Sequence, residues 1–319
     1  MAHELSIQNG RAEMFSGRNI TPWHRLGTVV EGLLTSSEAL EAAHLNWNVI
    51  GNPVLAQVNG VPTAVPGYQA ITREDTGAVL SIMKDSYHPI QNSEAFEFFD
   101  AVVGEGQAIY DTAGALHGGR RVWIMARIPK TVFIDGGDEL ERNILLYTSH
   151  DGSSTLKMQQ VMTRVVCQNT LSVALRQATN TVSILHRGNY KQRVSEAQRA
   201  LKVVHGYFDD LTTLIELFAA KPMSHTDMRD FTEKLLPIAT GEKSPRTEKA
   251  RGEITDLFSK GTGNHGRTRW DALNAVTEWV DHRRTYGRTQ NGVADETRFA
   301  STLFGSGAEI KASAVALLS

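Results

Sequence analysis

The chain has 319 residues, 41% of them hydrophobic and 21% charged, and a formal net charge of −2, a composition typical of soluble globular proteins and long enough for two domains. Its one cysteine, Cys167, excludes an internal disulfide. The N-terminal "MAHELSIQNGRAEM" has no signal-peptide core, and no run approaches the ~18 apolar residues of a membrane span, so a cytoplasmic protein without membrane association is expected.

The first ~190 residues alternate strand and helix patterns. "TSSEALEAAHLNWNV" opens with Ser/Thr cap candidates and predicts a short helix. Asn59-Gly60, between the apolar runs of "VLAQVNGVPTAV", predicts a hairpin. "YQAITREDTGAVLSIM" predicts a second one, turning near Asp75 to Gly77. "SEAFEFFDAVVG" returns to helical spacing, and "RVWIMARI", "NILLYTS" and "TLKMQQVM" predict strands. The last two are joined at "HDGS", where Asp151-Gly152 suits a tight turn. "TRVVCQNTLSVALRQA" is expected to be a helix, followed by a strand at "TVSILHR".

Beyond Lys191 the pattern is almost entirely helical. Val194, Ala197, Leu201, Val204, Phe208, Leu211, Ile215 and Phe218 form an a/d seam. Packing onto the chain's own helices is the favoured reading of that seam; an intermolecular coil is the other. "HTDMRDFTEKLLPI", stopped by Pro237, "ARGEITDLFSK", "RTRWDALNAVTEWVDHRR" and "DETRFASTLFG" predict further helices. The whole is an α+β fold: antiparallel hairpins with a packed helix over residues 1–190, then a helical region over 191–319.

Charge is unevenly spread. Residues 1–100 hold 5 Lys/Arg against 11 Asp/Glu, whereas 151–200 hold 7 against 2. A local basic surface attracts phosphates, although a solvated helix face has the same composition. "GTGNHG" (Gly261–Gly266) spells G-x-G-x-x-G, but a helical segment precedes it instead of a strand, so it reads as a loop between helices. No metal-ligand spacing, G-x-S-x-G elbow or Walker lysine loop occurs. On the expected helix Cys167 falls with the apolar set, as a small packing residue. Gln168, Asn169, Ser172 and Arg176 share the other face, with Lys157 and Arg164 beside them. Such side chains hold phosphates without reading sequence. "GGRRVW" adds Arg120 and Arg121, with Trp123 either a stacking ring or, as favoured, buried core.

"PWHRLGT", "SHDGS", "RVVCQNTL", "RWDALNAVTEWVDH" and "STLFGSGAEIK" together resemble the phage/plasmid-like family classed as domain of unknown function 932. The resemblance implies a protein encoded by a phage, prophage or plasmid, acting in the bacterial host cytoplasm. The strand-strand-helix core is also similar to that of single-strand annealing proteins of the eukaryotic Rad type, which form rings and hold single-stranded DNA in a basic groove. The expectation is therefore a single-stranded DNA-binding, strand-annealing protein without catalytic residues, metal or nucleotide cofactor, assembled as a homo-oligomer. Arg120, Arg121, Lys157, Arg164, Gln168, Asn169, Ser172 and Arg176 would hold the strand. Two alternatives stand beside it: an enzyme acting on nucleotides or nucleic acid through His24, His150 or His282, and an oligomeric interaction protein.

Overall fold

The structure, a computed structural model, describes residues 5–17, 26–103, 109–134, 137–164, 169–171, 181–184, 195–196, 208–285, 301–302 and 305–319. Four short strands come first: β1 (Ile7–Gln8), β2 (Arg11–Ala12), β3 (Met14–Ser16) and β4 (Thr28–Val29). Helix α1 (Ser36–Ala42) starts where the sequence places it. The Thr35 hydroxyl accepts the Glu38 N–H, and the Glu38 carboxylate accepts the Thr35 N–H, closing a capping box. The predicted hairpins follow as β5 (Val49–Val58), β6 (Val61–Arg73) and β7 (Val79–Lys84), a separate three-stranded sheet. Asn59 and Gly60 both take left-handed φ values, 53° and 81°, as a two-residue hairpin turn requires. Helix α2 (Asn92–Val103) is the predicted "SEAFEFFDAVV" helix.

The main sheet runs β12-β11-β10-β9-β8-β3-β4, with β13 also on β11. Its strands are β8 (Ile109–Leu116), β9 (Arg121–Ile134), β10 (Asp138–Ser149), β11 (Leu156–Arg164), β12 (Asn169–Leu171) and β13 (Thr181–Ile184). All pairings are antiparallel except β3 with β4. Side chains alternate across a strand, so the register defines two faces. On one face Val122, Ile124, Ile144, Leu146 and Met158 pack with Ala39, Phe96 and Phe99 of α1 and α2. Further along that face Ile134, Leu140 and Met162 join the core of the C-terminal helices, and Ile128 packs against both clusters. The helical region thus closes its core on the far end of the same two long strands. The opposite face carries a smaller cluster that includes Trp123, Leu145 and Val161.

The helices are α3 (residues 208–220), α4 (His225–Leu235), α5 (Pro245–Lys260), α6 (Arg269–Glu278) and α7 (Ser306–Leu318). Capping boxes at Ser224/Asp227 and Thr268/Asp271 start α4 and α6. Phe208, Leu211, Ile215 and Phe218 are buried among the chain's own helices, so this half of the seam packs intramolecularly. Val194, Ala197, Leu201 and Val204 lie outside the described residues. "GTGNHG" is the loop between α5 and α6, as expected. No helix among the described residues is long and apolar enough to cross a membrane.

One predicted element is corrected. Thr163 and Arg164 end β11, and Asn169–Leu171 form β12, which folds back so that Thr163 faces Thr170 and Arg164 faces Asn169. The expected helix over "TRVVCQNTLSVALRQA" is therefore strand in its described part, Thr163 and Arg164 in β11 and Asn169–Leu171 in β12. The β-branched Thr163 and Thr170 favour extended backbone, and a short apolar/polar alternation fits either period. The short strands β1 to β4, β8, whose Ala113, Gly114 and Ala115 are poor strand formers, and α7 lacked a sequence assignment altogether.

Candidate nucleic-acid interface

The turn from β8 to β9 is built from His117, Gly118 and Gly119, all left-handed, with φ of 56°, 70° and 97°. A side chain at Gly119 would meet Arg73 and Trp47 at about 3.0 Å, so only glycine passes there. Arg73 holds this corner together. Its fully buried guanidinium donates to Glu13 Oε1 at 2.6 Å, Asp75 Oδ2 at 2.7 Å and the Gly118 carbonyl at 3.3 Å, and lies 4.0 Å over the Trp47 ring. The turn delivers Arg120 and Arg121 to the head of β9. Arg120 is exposed and tethered by a bond from Nε to the Leu80 carbonyl at 3.0 Å. Its own carbonyl accepts the His150 N–H at 2.8 Å.

Lys157 joins this corner through the sheet. Arg121 is opposite Ser149, Trp123 is opposite Tyr147, and Tyr147 is opposite Lys157. Arg121, Trp123, Tyr147 and Lys157 therefore share one face. Strand spacing and rise place the Arg121 and Lys157 Cα atoms roughly 12 Å apart. The β10–β11 loop supplies a carboxylate: Asp151 Oδ2 lies 4.0 Å from Arg121 Nε, while Oδ1 accepts the Ser153 N–H at 2.9 Å in the expected turn.

The corner's titration follows from burial and its arginines. Burial, then the charges of Arg121 and Arg120 outweighing Asp151, push His117 down to about 4, so it is neutral at pH 7. Burial pushes the Tyr147 phenol up against the opposing pull of Arg121, and burial with the Asp151 charge takes Tyr87 up to about 12. Both phenols stay protonated donors. The corner thus offers Arg120, Arg121 and Lys157 as cations against Asp151, while the Tyr87 hydroxyl is spent on the Ser149 carbonyl. That arrangement binds anionic oxygens.

The predicted residues divide. Arg120, Arg121 and Lys157 all lie at this end of the sheet, Arg121 and Lys157 on one face and Arg120 against the Leu80 carbonyl. Arg164 is on the other face, at the helical end, 3% exposed. Its guanidinium donates to Asp138 at 2.7 Å, to the Thr262 and Gly263 carbonyls at 2.9 and 2.8 Å, and to Asn264 Oδ1 at 3.1 Å. It is a structural cross-link, not a surface cation. Asn169 stands opposite it in β12. Gln168, Ser172, Arg176 and Cys167 lie outside the described residues, as does His24. Trp123 is 2% exposed, which is the favoured core reading and not a stacking platform. His150 is fully buried, its Nε2 3.0 Å from Asn92 Oδ1 and its ring edge-on to Trp47. Sequence reasoning passed over His117 and Tyr147. The Gly-Gly after His117 was the available signal for a turn that would present it.

Fold and site define an α+β protein that gathers cationic side chains at one corner of an antiparallel sheet. The chain belongs to the family described as a domain of unknown function (DUF932), whose model matches residues 79–303, from β7 into the C-terminal helices. No curated protein and no solved structure matches it.

Proposed function

We propose that this protein binds single-stranded DNA through its phosphates, as a strand-annealing protein of a phage or plasmid, with Arg120, Arg121 and Lys157 as the contacts. The observation that carries the reading is that the register sets Arg121 and Lys157, 36 residues apart in the chain, on one face at the end of the sheet where Arg120 also lies. Phosphate contact by such side chains needs no nucleotide cofactor and carries no base information. Arg164 is not among the contacts, because its donors are already used within the fold. Titration of labelled single-stranded and duplex DNA across a salt series tests the reading. Tighter binding to the single strand, weakening steeply with salt and alike for all sequences, is expected; absence of binding at low salt refutes it.

One observation favours a second reading, an enzyme acting on nucleotides or nucleic acid. His117 is held neutral beside Arg121 and Asp151, and perturbed groups of this kind mark reactive sites. Turnover of a nucleotide or nucleic acid that is lost in His117→Asn would replace binding by catalysis as the function.

A further inference from the structure

Arg164 keeps one donor that the junction of sheet and helices does not use. Its two Nη groups make four bonds, to Asp138, the Thr262 and Gly263 carbonyls and Asn264. A guanidinium has a fifth donor, on Nε, and here it is buried with no hydrogen-bond partner among the described residues. The Nδ2 donor of Asn274, midway along α6, is buried and unpartnered in the same way. Arg164 and Asn274 are 3% and 2% exposed, and both line a single cavity of about 10 Å³. Leu140 and Ile215, elsewhere in its wall, have no polar side-chain atom. Thr277 also lines it, but directs its hydroxyl hydrogen to the Asn274 carbonyl at 3.0 Å.

We infer that this cavity binds one hydrogen-bond acceptor of atomic size, a water oxygen or a halide ion, held between Arg164 Nε and Asn274 Nδ2. Buried donors in folded proteins are nearly all paired, with protein or with bound water. Here two unpaired donors, 110 residues apart in the chain, line the same small space. Chemistry and size narrow the occupant. Two N–H groups repel a cation and call for an acceptor. A space of about 10–15 Å³ admits a single water, so phosphate, sulfate and carboxylate are too large. The guanidinium charge strengthens the bond to either remaining candidate. Asp138, 2.7 Å from the same guanidinium, offsets that charge, which keeps neutral water in the class beside a halide. The bound atom joins the last residue of β11 to the middle of α6 and completes the set of bonds that Arg164 makes across the junction.

Crystals of the full chain, soaked in sodium bromide or kept in halide-free sodium acetate, test this independently of the nucleic-acid reading. In the bromide crystal one density peak is expected within hydrogen-bond distance of both Arg164 Nε and Asn274 Nδ2. An anomalous signal at the bromine edge on that peak identifies a halide site. A peak without that signal, present in the acetate crystal too, identifies water. No peak in either crystal would overturn the inference. So would an Asn274 amide turned over, its Oδ1 accepting the Arg164 Nε–H directly with nothing between them. Asn274→Leu keeps the side-chain volume and removes the donor, and is expected to lose the peak; a peak that persists there refutes the part given to Asn274.

Discussion

Replacing Arg164 by alanine should unfold the junction between sheet and helices, not weaken DNA binding. The guanidinium is 97% buried, paired with Asp138, bonded to two carbonyls and an amide oxygen of the α5–α6 loop, and 5.8 Å from the Trp270 ring centroid. Asp138 also accepts the Trp270 Nε1–H at 2.7 Å, so the same carboxylate ties β10 to α6. Removing one partner of a buried ion pair costs about 3–5 kcal/mol. Each buried acceptor left without its donor adds about 1–3 kcal/mol, less than additively because the loop relaxes as a unit. A loss of about 4–6 kcal/mol is expected, read as a shift in the urea midpoint. Arg164→Lys, which keeps the charge but not the fork, should lose roughly half of that. The reasoning is refuted if Arg164→Ala unfolds within about 1 kcal/mol of wild type, and more sharply if that folded variant has a flatter salt dependence for DNA.

Gly114→Ala is expected to cost about 3 kcal/mol in the same denaturation assay, since a Cβ there would fall 2.2 Å from the Trp123 ring and 2.7 Å from the Glu13 carbonyl oxygen. His117 gives a pH signature. Its folded value of about 4 is below the ordinary 6.5, so the unfolded chain takes up the proton first. The stability it contributes is complete above about pH 6.5 and is lost as pH falls towards 4. His117→Asn, whose side chain tolerates the left-handed backbone, should flatten the stability profile across that window; an unchanged profile would show that His117 does not titrate there.

The turns and caps were legible in the sequence because each is local. Asn59-Gly60 and the Thr35 cap of α1 specify their geometry within four residues. What escaped depends on distant partners. β8 is a strand because Gly114 makes room for Trp123 and β3 pairs alongside it, nearly a hundred residues away in sequence. The segment after Met162 sorts into two faces at helical spacing, yet Asn169–Leu171 within it is a strand because it pairs with β11. The site was half legible for the same reason. Arg120, Arg121 and Lys157 are visible as charges, but only the register through Tyr147 brings them together. Nothing near Arg164 in sequence reveals that residues 262–264 will occupy it.

The most direct test of the account neutralises the corner itself. Arg120→Ala/Arg121→Ala/Lys157→Ala removes three candidate phosphate contacts, each contributing about 0.7 to the log–log salt slope on a single strand. The account predicts a folded protein whose slope for labelled single-stranded DNA is flatter by about two units, with affinity reduced alike on every sequence. A folded triple variant with wild-type affinity and slope would contradict it.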